Sequence, residues 1–106
     1  MIHDEIRDLL DAPNTGTKAP TLHDIEHTLT SGYARALALE AERIRIERQL
    51  ADVAARLADE ATDEDASELA SLAQRLSVAD DDLSHLRTLL ASLRLRADAA
   101  RAAVAY

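Results

Sequence analysis

The sequence predicts an all-α protein, a long antiparallel helical hairpin (coiled coil) that follows a short N-terminal helix. The main observation is an apolar series in the last third of the chain, whose members recur at alternating spacings of three and four. That spacing forms one seam along an α-helix. Its members are Leu69, Leu72, Leu76, Ala79, Leu83, Leu86, Leu90, Leu93, Ala97, Ala100 and Val104. No Gly or Pro interrupts residues 62–106, and the two tyrosines are the only aromatic residues. A core of aliphatic side chains between helices is therefore favoured.

The composition narrows the range of partners. Twenty acidic residues against twelve basic ones give a net charge of -8, which disfavours binding to nucleic-acid phosphates or to an anionic membrane surface. The absence of Cys excludes disulfides and thiolate metal sites. The first residues lack the pattern of a signal peptide, and no apolar run approaches the ~20 residues of a membrane span. We expect a cytoplasmic protein with no direct nucleic-acid or membrane partner.

Residues 1–20 are expected to form a short amphipathic helix and a flexible linker. Ile2, Ile6, Leu9 and Leu10 have helical spacing, and Pro13 follows the end of that pattern. A helix of about 11 residues is marginal alone. Three roles stay open for it, namely docking on the chain's own helices, a partner-binding arm that orders on contact, and plain disorder.

The first long helix is expected over about residues 21–60. Thr21 provides an N-cap hydroxyl and Asp24 a carboxylate three residues later, which is a variant of the capping box. The same spacing of three and four then continues through Leu22, Ile25, Leu29, Gly32, Ala36, Leu39, Arg43, Ile46, Leu50, Val53 and Leu57. Weak helix formers at residues 30–32 predict a bend or local softness. The alternative is a helix that begins near Tyr33.

The second long helix is expected over about residues 63–104, and the two together make a hairpin domain of residues 21–106. Thr62 and Asp65 repeat the N-cap arrangement, and acidic residues in a first turn suit the helix dipole. Because no Gly ends the first helix, one continuous helix of over 80 residues is the alternative.

An antiparallel pairing in which partner numbers sum to 122 aligns the two seams. It places Gly32 opposite Leu90, so that a small residue faces a large one, as an interdigitated core requires. Arg43 falls opposite Ala79 and beside Asp80, where its stem can pack and its head can reach a carboxylate. A polar residue at one seam position commonly fixes register, which is the role expected of Arg43.

Further apolar side chains lie outside the seam on both helices. A stripe of this width exceeds what a two-stranded seam needs. We therefore expect two hairpins to associate as a homodimeric four-helix bundle. The candidate interface residues are Tyr33, Leu37, Ile44, Leu89 and Leu95.

The sequence offers little support for catalysis. His23 and His27 fit the H-x-x-E-H pattern of some zinc peptidases. Yet they have no obvious third ligand and no cleft-forming domain, so exposed polar roles are favoured. Asp80, Asp81 and Asp82 are consecutive and would point in three directions from a helix. Without a Cys or a glycine-rich loop, we expect no enzyme, no catalytic or metal-binding residues and no cofactor.

A basic flank on the last helix is the strongest candidate site. Arg87, Arg94 and Arg101 recur every seven residues and so share one side of the helix. One interpretation is ion pairing with the first long helix, with Glu26 near Arg94 and Glu40 near Arg87 in the 122 alignment. The other is recognition of an anionic ligand or partner by guanidinium groups.

The segment 80–90 resembles the helix of the actinobacterial RsiG-type anti-sigma factors. Asp80, Ser84 and Arg87 match the spacing of the acid, Ser and Arg of that family's motif, whereas Ala91 and Leu95 stand where the family has Gln and Asp. Those two departures remove ligand-contacting groups. The resemblance implies an antiparallel coiled coil that binds cyclic-di-GMP while holding a sigma factor.

The expected function is that of a non-enzymatic protein-protein interaction module, a regulatory, anti-sigma-like binding protein that is ligand-responsive. The alternative is a structural or chaperone-like coiled-coil scaffold with no ligand, whose exposed stripe receives a partner's helix. The candidate ligand- or partner-binding residues are Asp80, Ser84, Arg87, Arg94 and Arg101.

Overall fold

The computed structural model describes residues 1–104 as three helices without strands. They are α1 (Ile2–Asp11), α2 (Leu22–Asp59) and α3 (Asp63–Val104). The prediction of an all-α chain with one short and two long helices is confirmed. Ala105 and Tyr106, the end of the predicted 21–106 domain, lie outside the described residues, and so does the seam side chain of Val104.

Both long helices begin at the predicted caps. The Thr21 Oγ1 accepts a hydrogen bond from the Asp24 amide at 3.1 Å, and the Thr21 amide donates to Asp24 Oδ2 at 3.3 Å. This reciprocal arrangement satisfies two backbone donors at the start of α2. At the start of α3, the Thr62 Oγ1 accepts from the Asp65 amide at 3.1 Å.

Two alternatives from the sequence are wrong. Helix α2 does not begin near Tyr33, because it already begins at Leu22. A single helix of over 80 residues does not form either, because α2 ends at Asp59 and the Thr62 cap begins a new helix.

Gly32 lies inside α2 and is buried. Tertiary packing at this position therefore outweighs its weak helix propensity.

The chain divides into two compact units. The hairpin unit is Ala38–Ser84, and the three-helix unit combines Met1–Leu37 with the described residues from His85 onward. Each long helix thus contributes one stretch to each unit.

The hairpin unit contains the turn between α2 and α3. Ile46 and Val53 of α2 form a buried cluster with Leu72 and Ala79 of α3, and half-buried leucines pack against it: Leu50, Leu57, Leu69 and Leu76. All eight are predicted seam positions. Beside the turn, the Arg56 guanidinium contacts the Glu68 carboxylate at 3.1 Å.

Arg43 occupies its seam position in the hairpin unit as predicted. Its side chain is about one third exposed, and its Nη1 lies 3.5 Å from Asp80 Oδ1. The Nε lies 3.7 Å from Glu47 Oε1 but makes no hydrogen bond. A guanidinium in this seam needs carboxylates at a defined level of the opposite helix, which supports a role in register.

The three-helix unit packs α1 against the two long helices. Its buried apolar side chains come from all three helices: Ile6, Ile25, Leu29, Ala36, Leu86, Leu90, Leu93 and Ala97. A Cβ at Gly32 would meet the Cδ2 of Leu90, so these two residues face each other as the 122 alignment predicts. Glu26, near the N-terminus of α2, pairs with Arg101, near the C-terminus of α3, so these two helices run antiparallel within the unit.

Candidate functional site

The basic flank of the three-helix unit forms a shallow cleft of about 330 Å³. Arg94 and Arg101 of α3 line it together with Glu26, Leu29, Thr30 and Tyr33 of α2. Two of the three arginines predicted to share a flank are thereby brought together. The cleft combines guanidinium groups with an aromatic ring, which suits an anionic or aromatic group.

The predicted pairing of Glu26 with Arg94 is wrong. Arg101 Nη2 instead lies 3.0 Å from Glu26 Oε1, and Arg101 Nη1 lies 2.8 Å from Asp98 Oδ1. Long side chains on a helix lean towards its N-terminus. In an antiparallel pair that lean carries the Arg101 head back to the level of Glu26. The 122 alignment pairs residues at the same level of the two helices, so it does not include this displacement of the side-chain head.

Arg94 lines the same cleft as Thr30 and Tyr33. Within the described part of the chain, no ion pair of Arg94 is found, and the residue is exposed. Arg101 has two carboxylate partners, so its charge is largely compensated. The uncompensated positive charge of the cleft is therefore that of Arg94.

The remaining candidates from the sequence are distributed between the units. Arg87 lies in the three-helix unit, whereas Asp80 and Ser84 lie in the hairpin unit. Asp80 contacts Arg43, and neither Ser84 nor Arg87 is without a partner. The three residues that match the family's motif therefore lie on both sides of the boundary between the two units along α3.

The candidate dimer-interface residues are also distributed. In the three-helix unit, Tyr33 lines the basic cleft and Leu37 is exposed, while Leu89 is half-buried. Leu95 is exposed at a different cleft of about 560 Å³, which also involves Leu10 of α1. In the hairpin unit, Ile44 is exposed.

A second arrangement in the three-helix unit involves Arg96, which was not among the predicted site residues. Its guanidinium donates hydrogen bonds to four carbonyl groups at and beyond the C-terminus of α1. The acceptors are the oxygens of Leu9, Leu10 (2.8 Å), Ala12 (2.6 Å) and Pro13 (2.7 Å). The last carbonyls of a helix have no partner within it, so Arg96 caps α1 from another helix.

The sequence contained one signal for this cap. Helix α1 has no basic residue in its last turn, although a cation there would satisfy the helix dipole. A basic residue of another element can supply that cation. Which arginine does so depends on how α1 docks, and short-range sequence patterns do not determine that.

Histidines of α1 and α3 contribute to the α1 contact. Arg7 of α1 donates to His85 Nε2 at 3.0 Å, and the rings of His3 and His85 are 5.2 Å apart. His23 and His27 are both exposed on α2. Among residues 1–104, no three His, Cys, Asp or Glu side chains are placed to hold a metal ion.

No helix within the described range is both long and apolar enough to cross a bilayer. No protein-family model matches the chain, and neither a curated protein nor a solved structure does.

Proposed function

We propose that this protein is a non-enzymatic protein-protein interaction module. The observation that carries the proposal is the set of large apolar side chains that each unit exposes. The three-helix unit exposes Leu37 at 66% and Tyr33 beside the basic cleft, and the hairpin unit exposes Ile44 at 44%. Contacts with another helix would remove these side chains from water, at a gain of about 25 cal/mol for each Å² of apolar surface.

The first partner that we propose is a second copy of the chain, in a homodimeric four-helix bundle. Two amphipathic helices that expose apolar side chains outside their seam gain a second layer of packing in such a bundle. The proposed contacts are those of Tyr33, Leu37, Ile44, Leu89 and Leu95.

The mass in solution tests the dimer. At micromolar concentration, light scattering after size-exclusion chromatography should give twice the chain mass of 11.5 kDa. Leu37→Glu and Ile44→Glu should each lower the mass towards one chain, because a charge would enter an apolar interface. Ala55→Glu, at an exposed position of the same helix, is the matched control. A wild-type mass of one chain would exclude the dimer.

We further propose that the module is regulatory and anti-sigma-like, with a sigma factor as its second partner. The net charge of -8 supports this proposal, because a DNA-reading face is basic and an acidic surface is complementary to it. The basic cleft would then serve as a separate contact, for an anionic group of the partner or of a ligand such as cyclic-di-GMP.

Capture from native-host lysate, with and without cyclic-di-GMP, tests the regulatory role. A sigma factor should be recovered with the tagged protein, and Arg94→Ala should reduce its recovery several-fold while the melting temperature stays unchanged. Arg101→Ala is the comparison, because it removes exposed ion pairs worth about 0.2–1 kcal/mol. Recovery of the bait alone would instead favour a scaffold, and so would recovery of cytoskeletal or membrane proteins.

A further inference from the structure

Helix α1 has few interactions of its own that would keep it helical. It is 10 residues long, and its N-cap residue Met1 makes no side-chain cap. Its last turn has no basic residue, although Asp8 and Asp11 place negative charge near its C-terminus. Isolated helices of this length are marginal in water, and acidic residues near the C-terminus are unfavourable to the dipole. The order of α1 therefore depends on what it contacts.

The rest of the three-helix unit supplies the missing interactions. Ile6 is 0% exposed and thus lies completely within the unit. Its Cδ1 lies 3.5 Å from the position that a Cβ would take at Gly32. Arg96 caps the C-terminus of α1, and His85 accepts from Arg7. We call the surface of Gly32, His85 and Arg96 the α1 seat.

The α1 seat has the features of a site for an amphipathic helix. The missing side chain of Gly32 makes room for the buried Leu90, and the Ile6 side chain of α1 packs beside them at ordinary van der Waals distance. Arg96 binds the main-chain carbonyls of Leu9 and Leu10 in the last turn of α1, which other helices also present, and those of Ala12 and Pro13 just beyond it. Ile2 and Leu9, four residues before and three after Ile6, are half-buried. The recognition therefore combines main-chain carbonyls and apolar spacing with one side-chain contact, from Arg7 to His85.

The connection between α1 and α2 allows α1 to leave. Ten residues, 12–21, separate the two helices. They include Pro13 and Gly16, whose φ is +93°. One backbone hydrogen bond, from the Ala19 amide to the Gly16 carbonyl at 3.3 Å, is made within this connection. An extended segment of this length spans roughly 33 Å at about 3.3 Å per residue.

We propose that the α1 seat is a binding site for a helix of a partner protein, and that α1 occupies the seat as an intramolecular competitor. The partner segment is an amphipathic helix with apolar residues at i, i+4 and i+7, and its C-terminal carbonyls receive Arg96. Partner binding releases α1, and the affinity of the partner is reduced by the fraction of molecules in which α1 is docked. The inference rests on the proposed interaction function and assigns it a location.

A labelled peptide of residues 1–14 tests the seat in the full-length chain. Its C-terminus is amidated, so that no terminal carboxylate can pair with Arg96. Binding is measured by fluorescence anisotropy against the wild type and against Ile6→Asp, a change that makes the chain's own α1 unfit for the buried position. Ile6→Asp should bind the peptide at least tenfold more tightly than the wild type, because its seat is open.

Two arginines on α3 provide a matched pair for the cap. In the Ile6→Asp chain, Arg96→Gln should weaken peptide binding about tenfold, because the hydrogen bonds to the helix end are lost. Arg75→Gln, at an exposed position of α3 in the hairpin unit, should leave the affinity unchanged. A peptide that itself carries Ile6→Asp should not bind. Equal affinity of the wild type and Ile6→Asp for the peptide would overturn the proposal.

Hydrogen exchange provides a second measurement if Ile6→Asp does not fold. In the otherwise wild-type chain, Arg96→Gln should increase the exchange rate of α1 amides at least tenfold and leave those near Ile46 unchanged. Arg75→Gln should leave the exchange rate of the α1 amides unchanged. Unchanged α1 exchange in Arg96→Gln would overturn the proposal. A dimer that Ile6→Asp converts to monomers would also overturn it, since the seat would then hold α1 of a second copy. The peptide assay does not depend on the sigma-factor capture or on the mass of the wild-type protein. A failure of the α1 seat proposal can therefore be told apart from a failure of the proposed function.

Discussion

Leu86→Asp is expected to unfold the three-helix unit. Leu86 is 0% exposed, and none of the other buried residues is polar or charged within the described range. Removing a buried leucine alone costs about 2–5 kcal/mol. A carboxylate without a partner adds several kcal/mol more. Because a domain of this size is stable by about 5–15 kcal/mol, most or all of its stability would be lost.

Circular dichroism during thermal and urea denaturation measures this loss. Ala91→Asp is the control, because it places the same charge on an exposed position of α3 only five residues away. The control should remain within about 0.5 kcal/mol of the wild type. A wild-type melting curve for Leu86→Asp would mean that the seam of α3 has been assigned to the wrong face.

Gly32→Val is expected to destabilise the same unit by about 1–3 kcal/mol, the usual cost of overpacking a core. A Cβ at this position would overlap the Cδ2 of Leu90, and Ile6 lies just beyond. Leu90 is itself buried, so it has little room to move aside. The slightly better helix propensity of Val compared with Gly offsets only a few tenths of a kcal/mol.

A double-mutant cycle separates packing from propensity. Leu90→Ala removes the methyl group that the new side chain of Gly32→Val would meet, so the double variant should be more stable than the sum of the two single changes implies. Ala34→Val, on the exposed side of the same helix, is the control for the propensity of Val. If Gly32→Val were as stable as Ala34→Val, a close contact of Gly32 with Leu90 would be contradicted.

Much of the fold was predictable because its determinants are local or periodic. The alternation of three and four identified the seam, and the buried positions Ile46, Leu72 and Leu86 all belong to it. The hydroxyls of Thr21 and Thr62 marked where helices begin, and both make the expected bonds. Such signals depend on residues within one or two helical turns, so the sequence expresses them directly.

The candidate site was predictable only in part. The spacing of seven residues correctly grouped Arg94 with Arg101 on one flank. It did not indicate that Glu26 would pair with Arg101 and leave Arg94 without a carboxylate partner among the described residues. The direction in which a long side chain leaves its helix decides that pairing, and spacing along the chain does not contain that direction.

Local and periodic signals in the sequence are enough to predict the three helices, the threonine caps of α2 and α3, and the level at which Gly32 faces Leu90. The tertiary structure alone decided that α1 docks, through a buried Ile6 and a cap from Arg96. The hydrogen bonds of that cap join residues more than 80 positions apart. Helical periodicity specifies which face of a helix is apolar. It does not specify which surface will cover that face, because several apolar surfaces satisfy the same pattern and only three-dimensional packing selects among them.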